Sequence, residues 1–448
     1  LTEAQQTARK TYDPVAHKMY VADSGAAVVM EAQTGRVIAM AGQPTYNPED
    51  WVGGISEKEY MRLNSHKAGD VLLPRATEGQ FPPGSTWKPF MTTAALSNGY
   101  KPSTQLECSP GLQVGNRWFK NYEGETYGSI TFAKALQLSC DTFFYRVGVN
   151  YWHKYGANPT NVHAKDPLVS TAESWGFGKK TGIDIPGEAS GRVADRQWKL
   201  DYWNEMKGYY CKMDKKGTAK TPFLKLYAHE FCLQGNYYRL GDAVNFSIGQ
   251  GDTMVTPIQL ARAYSAMSNG GTLYEPTIGK AIVSSDGTVL ENIKPKVVGH
   301  PKVTKKSIDY VNDALLGTPK TGTLAWKFNG FPLDQVKVRG KTGSAEVEGK
   351  QPTTWVATYN KKYVVIMMVT QGGTGSGTVG PYVRKVWEDL YGIKPNTTEI
   401  DPSKTSLPGG TPPAALPKFG DDGSILPPPG TKPAAAKPTT GKKSGGKG

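Results

Sequence analysis

Residues 81–88, Phe-Pro-Pro-Gly-Ser-Thr-Trp-Lys, place the hydroxyl of Ser85 three residues ahead of the amine of Lys88, at the mouth of a helix predicted over Ser85 to Ser97. Pro82-Pro83-Gly84 stops extended chain and allows the turn into that helix, which Asn98-Gly99 then ends. Side chains at i and i+3 share a helix face, so the amine is placed to take a proton from an alcohol that is a poor nucleophile by itself. The positive end of the helix favours an ionised serine oxygen and depresses the lysine pKa. Alone, the S-x-x-K pattern is weak and fits an ordinary helix start. It recurs at Ser444-Gly445-Gly446-Lys447, in a Gly/Lys stretch that holds nothing in place.

Two further stretches strengthen it. Ser139-Cys140-Asp141 interrupts the apolar run from Ile130 to Val147 and suits a short connection that points a hydroxyl and a carboxylate into a cleft. A helix N-cap reading of Asp141 is equally available. Ser284-Ser285-Asp286 has the same pattern, but Gly287 follows and valines flank it, so it reads as a hairpin turn. Lys341-Thr342-Gly343-Ser344 follows the alternating Val336-Lys337-Val338-Arg339 and precedes two strand-like runs, the context of an edge strand. Lys180-Thr181-Gly182 and Lys320-Thr321-Gly322 lie in Gly-rich surroundings and read as turns.

In this order, Ser85/Lys88, Ser139/Asp141 and Lys341-Thr342-Gly343 resemble the three active-site motifs of the penicillin-recognising acyl-serine transferases. The segments GAAVVMEAQTGRVIAMAGQPTYNP (25–48), GFGKKTGIDIPGEASGRVAD (176–195) and NFSIGQGDTMVTPIQLARAYSAMSNGG (245–271) extend the likeness over residues 20–391. It is to the transpeptidase domain of class B penicillin-binding proteins, and within them to the elongation-type members, penicillin-binding protein 2. The resemblance implies a D,D-transpeptidase that cross-links peptidoglycan stem peptides in cell elongation and is covalently inhibited by β-lactams. Ser85 would be the nucleophile and Lys88 its base, with Ser139 passing a proton to the departing D-alanine. Lys341, Thr342, Gly343 and Ser344 would hold the donor carboxylate, and the N–H groups of Ser85 and Ser344 the oxyanion. Asp141 stands where many relatives carry Asn; ionised, it only accepts hydrogen bonds, and it is free to pair with Lys88 or Lys341 instead. Ser344 replaces the more usual threonine and keeps the hydroxyl. A β-lactamase of the same fold would need a deacylating carboxylate, for which Glu188 is the nearest candidate, and a non-catalytic penicillin sensor is the third class.

The chain carries a net charge of +14 with pI near 9.3. From Asp401 onward, 19 of 48 residues are Pro or Gly and seven lysines face three aspartates, so +4 belongs to that tail. Residues 394–448 are expected to be disordered. The remaining positive charge suits anionic lipids and wall polymers; a nucleic-acid partner is not expected, because no dense Lys/Arg cluster is interleaved with stacking aromatics. No apolar run of about 18 residues is present. Residues 1–24 are expected to be a linker, and the resemblance implies a membrane helix and an elongated domain upstream. It also implies an extracytoplasmic catalytic domain at the cell membrane and a polytopic glycosyltransferase partner.

Of the four cysteines, Cys140 reads as a small buried side chain. Cys211 and Cys232 bracket a polar, aromatic-rich segment (212–231) within an insertion (196–244), and an outside location would permit them to close it as a disulfide. His229 and Cys232 are poor evidence for a metal without a second ligand pair. Some elongation-type relatives hold zinc between the first two motifs, where this chain has Cys108 and no histidine; neither a metal nor a cofactor is expected.

The expected architecture is α+β, within the mixed α/β class. Runs at Ala26–Met30 and Val37–Ala41 read as a hairpin through Thr34-Gly35. Three strands at Val336–Val347, Thr354–Tyr359 and Tyr363–Thr370 and an amphipathic helix over Pro381–Leu390 complete a five-stranded antiparallel sheet built from both ends of residues 25–393. A mostly helical subdomain (74–269) would contain a buried helix at Pro257–Tyr264.

Overall fold

The computed structural model describes residues 11–13, 18–20, 22–157, 166–284, 288–394, 397–401, 418–419 and 425–426. The chain divides into two compact units. The smaller takes residues 279–294 and 408–448; its described elements are two antiparallel pairs, Ala281–Val283 with Val289–Asn292 and Lys418–Phe419 with Ile425–Leu426. The first pair flanks the expected turn at Ser284-Ser285-Asp286, whose tip, 285–287, lies outside the described residues. The second is a departure from the disorder expected of the tail, most of which also lies outside them.

The larger unit holds the sheet. Strands β1 (Gly25–Glu31), β2 (Val37–Gln43), β3 (Arg339–Val347), β4 (Lys350–Tyr359) and β5 (Tyr363–Val369) pair antiparallel in the order β3-β4-β5-β1-β2. The two ends of the fold meet where Tyr363 faces Glu31 and Val369 faces Gly25. Every residue of β5 is buried because helices cover both faces of the sheet. Val364, Ile366 and Met368 alternate toward one core, while Val365, Met367 and Val369 turn to the other. Arg339, not Val336, begins β3: Leu333–Val336 forms a helical turn and Lys337 is left-handed at φ 52°. Residues 11–13 and 18–20, within the expected linker, pair as short strands.

Its helices include α1 (Lys88–Ser97), α2 (Phe132–Leu138), α3 (Asp141–Tyr155), α4 (Arg196–Lys216), α5 (Pro222–Gln234), α6 (Pro257–Asn269), α7 (Lys305–Leu315), α8 (Gly317–Thr321) and α9 (Gly380–Tyr391). Thr256 and Gln259 cap α6 reciprocally, and the helix is buried from Pro257 through Met267. On the opposite sheet face, α9 inserts Val383, Trp387 and Leu390, and Trp387 donates to Thr358 Oγ1 at 2.8 Å. The insertion is a pair of helices, α4 and α5, joined by a Cys211–Cys232 disulfide. The subdomain is less purely helical than expected. Gln105–Cys108 pairs with Gly128–Thr131, and Gly111–Val114 with Arg117–Lys120.

Candidate active site

Ser85 sits in a 3₁₀ turn, Gly84–Trp87, that runs directly into α1. Three hydrogen bonds to distant elements and one within the turn fix it. Gly84 N–H donates to Gly249 O (2.8 Å), Trp355 Nε1 to Pro82 O (3.0 Å), Tyr264 OH to Thr86 O (2.8 Å), and Thr86 Oγ1 to Pro83 O (2.7 Å). Trp87 is fully buried, its ring 4.6 Å from that of Phe177. Two glycines let the backbones close in: a Cβ on Gly249 would lie 2.5 Å from Gly84 O, and one on Gly343 3.0 Å from Pro83 O. β3 can therefore run against the Ser85 turn.

Ser139 ends α2 in the left-handed conformation, φ 62°, and Asp141 is the first residue of α3. The cap reading of Asp141 is corrected: Cys140 holds the N-cap position, and the Asp141 side chain turns to Lys88 instead. The motif is tied down from outside by a Cys108–Cys140 disulfide, by Asn121 Oδ1 accepting from Asp141 N–H (2.9 Å) and by Thr142 Oγ1 donating to Ser109 O (2.9 Å). Cys140 is buried as expected, but as half of a disulfide.

Lys88, Ser139, Asp141 and Lys341 meet. Lys88 Nζ donates to Asp141 Oδ1 (2.5 Å) and to Ser139 O (2.7 Å), and lies 3.4 Å from Ser139 Oγ. Lys341 Nζ donates to Ser139 Oγ (2.7 Å) and Thr342 O (2.9 Å). One hydroxyl thus stands between two amines, with a carboxylate on one of them. Both ammonium groups are fully buried. Burial holds Lys88 below the usual lysine value and outweighs the opposing pull of Asp141. Burial, reinforced by the charge of Lys88, holds Lys341 well below it, again against Asp141. The bonds of Lys88 Nζ run to the second motif, with none to Ser85 among the described residues.

Thr342 Oγ1 lies 2.8 Å from Thr323 Oγ1, and the Ser344 carbonyl lies against Gly84. Thr323 was not singled out from sequence, and the Lys320-Thr321-Gly322 run just before it is a correction. Lys320 and Thr321 end α8 rather than forming a turn, because Gly322 N–H donates back to Gly317 O (3.0 Å) and Thr318 O (3.2 Å) and closes a helical turn. Asn121 and Gly249 were also missed; their contacts cross tens of residues and leave no local signature. Glu188 has both oxygens engaged, by the N–H groups of Thr181 (2.6 Å) and Gly182 (3.0 Å). Among the described residues no group of three or more His, Cys, Asp or Glu is placed to hold a metal ion. His229 pairs with Asp214 at 3.2 Å, and Cys232 is taken up in its disulfide.

The family model for the penicillin binding protein transpeptidase domain matches residues 25–388. This chain belongs to that family. The peptidoglycan D,D-transpeptidase MrdA of Haemophilus influenzae is 29% identical over 396 residues, which cover 81% of this chain and 52% of the relative. The chain spans about half the length of the curated relatives it matches. Among solved structures, a complex of penicillin-binding protein 2 with MreC from Helicobacter pylori superposes with TM-score 0.63 at 25% identity, covering 81% of this chain and 60% of that one. Pseudomonas aeruginosa penicillin-binding protein 2 in complex with WCK 5153 gives TM-score 0.64 at 24% identity, with 90% and 79% covered. The five-stranded sheet with its helical subdomain is the penicillin-binding transpeptidase fold.

Proposed function

We propose that this member of the family is a D,D-transpeptidase of cell-wall elongation that cross-links stem peptides through an acyl-enzyme on Ser85 and is acylated there by β-lactams. The observation that carries the reading is the single hydroxyl, Ser139, held between the amines of Lys88 and Lys341 beside the Ser85 turn. As the neutral amine, Lys88 accepts the proton of Ser85 Oγ while that oxygen bonds to the carbonyl between the last two D-alanines. The N–H groups of Ser85 and Ser344 face the resulting oxyanion. Ser139 hands the proton from Lys88 to the departing D-alanine nitrogen as the carbon–nitrogen bond breaks. The hydroxyls of Thr342 and Ser344, with Lys341 Nζ as a further hydrogen-bond donor, receive the donor's terminal carboxylate. An amine from a second stem then attacks the ester, loses its proton along the same relay and releases Ser85.

Two disulfides support an oxidising compartment, and with it a catalytic domain outside the cytoplasmic membrane. No helix among the described residues is long and apolar enough to cross a membrane. Relatives found with MreC and within a peptidoglycan synthase complex support a place beside a membrane glycosyltransferase. The engaged oxygens of Glu188 weigh against the β-lactamase reading. Intact mass of the protein after benzylpenicillin treatment tests the reading: one long-lived adduct that Ser85→Ala abolishes is expected, and an adduct that survives the substitution removes the nucleophile.

A further inference from the structure

Beyond Ser344 the free edge of β3 opens into a cavity of about 430 Å³, lined in part by Tyr122, Gln250, Ser344, Glu346, Gln351 and Thr374. Glu346 is the one charged residue in this lining, and its side chain makes no ion pair or hydrogen bond among the described residues. It lies where the β3–β4 register shifts, between Ala345 and Val347, a device that re-aims side chains at the rim of a site.

Because β3 ends the sheet order, an extended peptide can lie along it as an added strand. On the transpeptidase reading, on which this inference rests, the donor's carboxylate sits at Lys341 and Thr342 and its acyl carbonyl at Ser85 and Ser344. The part of the donor upstream of the acylated D-alanine then continues past Ser344. At about 3.4 Å per residue, Glu346 stands about 7 Å beyond Ser344, at the register shift. A long side chain on the residue just upstream of the acylated D-alanine therefore enters the cavity that Ser344 and Glu346 both line, within reach of the Glu346 carboxylate. Cross-linking consumes an amine carried by a stem peptide, and donor and acceptor are strands of one polymer, so an unused donor carries that amine as an ammonium.

We propose that Glu346 and this cavity hold a cationic side chain of the donor peptide, which makes Glu346 a determinant of donor specificity. The test compares two synthetic pentapeptides ending in D-alanyl-D-alanine, one with a free side-chain amine immediately upstream of the two D-alanines and one acetylated there, by D-alanine release. The wild type is expected to favour the free amine in kcat/KM by about fivefold, the upper end for an exposed ion pair, and less as salt rises. Glu346→Gln should abolish the preference and Glu346→Lys invert it, while benzylpenicillin, which has no cation to place, labels both variants at the wild-type rate. An equal loss on both peptides, or a preference that survives Glu346→Gln, overturns the inference. If the wild type in the same assay is not acylated at Ser85 by benzylpenicillin, the transpeptidase reading itself falls.

Discussion

On the proposed mechanism Lys88 must be a base while it sits 2.5 Å from a carboxylate, and the balance between those two demands sets the pH dependence of the site. Only the neutral amine accepts the Ser85 proton, so acylation should rise with pH as the population below the depressed Lys88 pKa loses its proton. Asp141 pulls the other way, toward the ammonium. Asp141→Asn removes that pull, and the rising limb of penicillin acylation should move to lower pH; a limb that stays in place would show that Asp141 leaves the base untouched. Lys88→Ala should slow acylation by about 10²- to 10⁴-fold, the usual contribution of a general base, as read by the rate of fluorescent-penicillin labelling. The pairing of Asp141 with Lys88 or Lys341 was among the sequence-based readings, because an acid in place of an amide has few other uses beside two amines. The identity of the chosen lysine was not legible, since it depends on how α3 is aimed.

At the scale of elements, the site is three backbones pressed together, and glycine makes the pressing possible. Gly343→Ala puts a Cβ 3.0 Å from both Pro83 O and Thr86 Cγ2, so β3 or the Ser85 turn must shift. Labelling by penicillin should fall by up to about 10²-fold with little change in overall secondary structure, because misplacement of reacting groups is costly out of proportion to its size. The Cys108–Cys140 bridge closes a separation of 32 residues and anchors the Ser139 turn. Cys108→Ser should lower unfolding free energy by about 3 kcal/mol in urea titrations and slow acylation as well; a change in stability alone would mean that the turn holds without its staple. The five sheet strands and α9 were readable from alternating and amphipathic patterns. The four short strands between Gln105 and Thr131 were not, because each carries at most two buried residues and none shows alternation over enough length. The bridge was missed for a related reason: Cys140 suits a core, and nothing near it in sequence names Cys108 as its partner.

Over the whole molecule, two fully buried amines tie stability to pH. The unfolded chain holds its lysine protons up to the ordinary value near 10.5, whereas folded Lys341 releases its proton well below that. Between those limits the unfolded state binds more protons, so stability rises with pH across the window. Urea midpoints should increase from pH 7 to pH 9, and Lys341→Met should flatten the rise. A flat wild-type profile would mean that the amine is charged in the fold.

The pairing of Tyr363 with Glu31 also orders events in time. When the chain is made from its N-terminus, Val28 and Met30 must wait more than 300 residues for the strand that covers them. Ser85 likewise waits for the Lys341 strand. Such distant closures are slow, and until they occur the nascent molecule shows its apolar strands to any holding factor while lacking a completed catalytic groove. On the transpeptidase reading the site is thus silent during its own production, and release cut short of Tyr363 yields an inert chain with an open sheet edge.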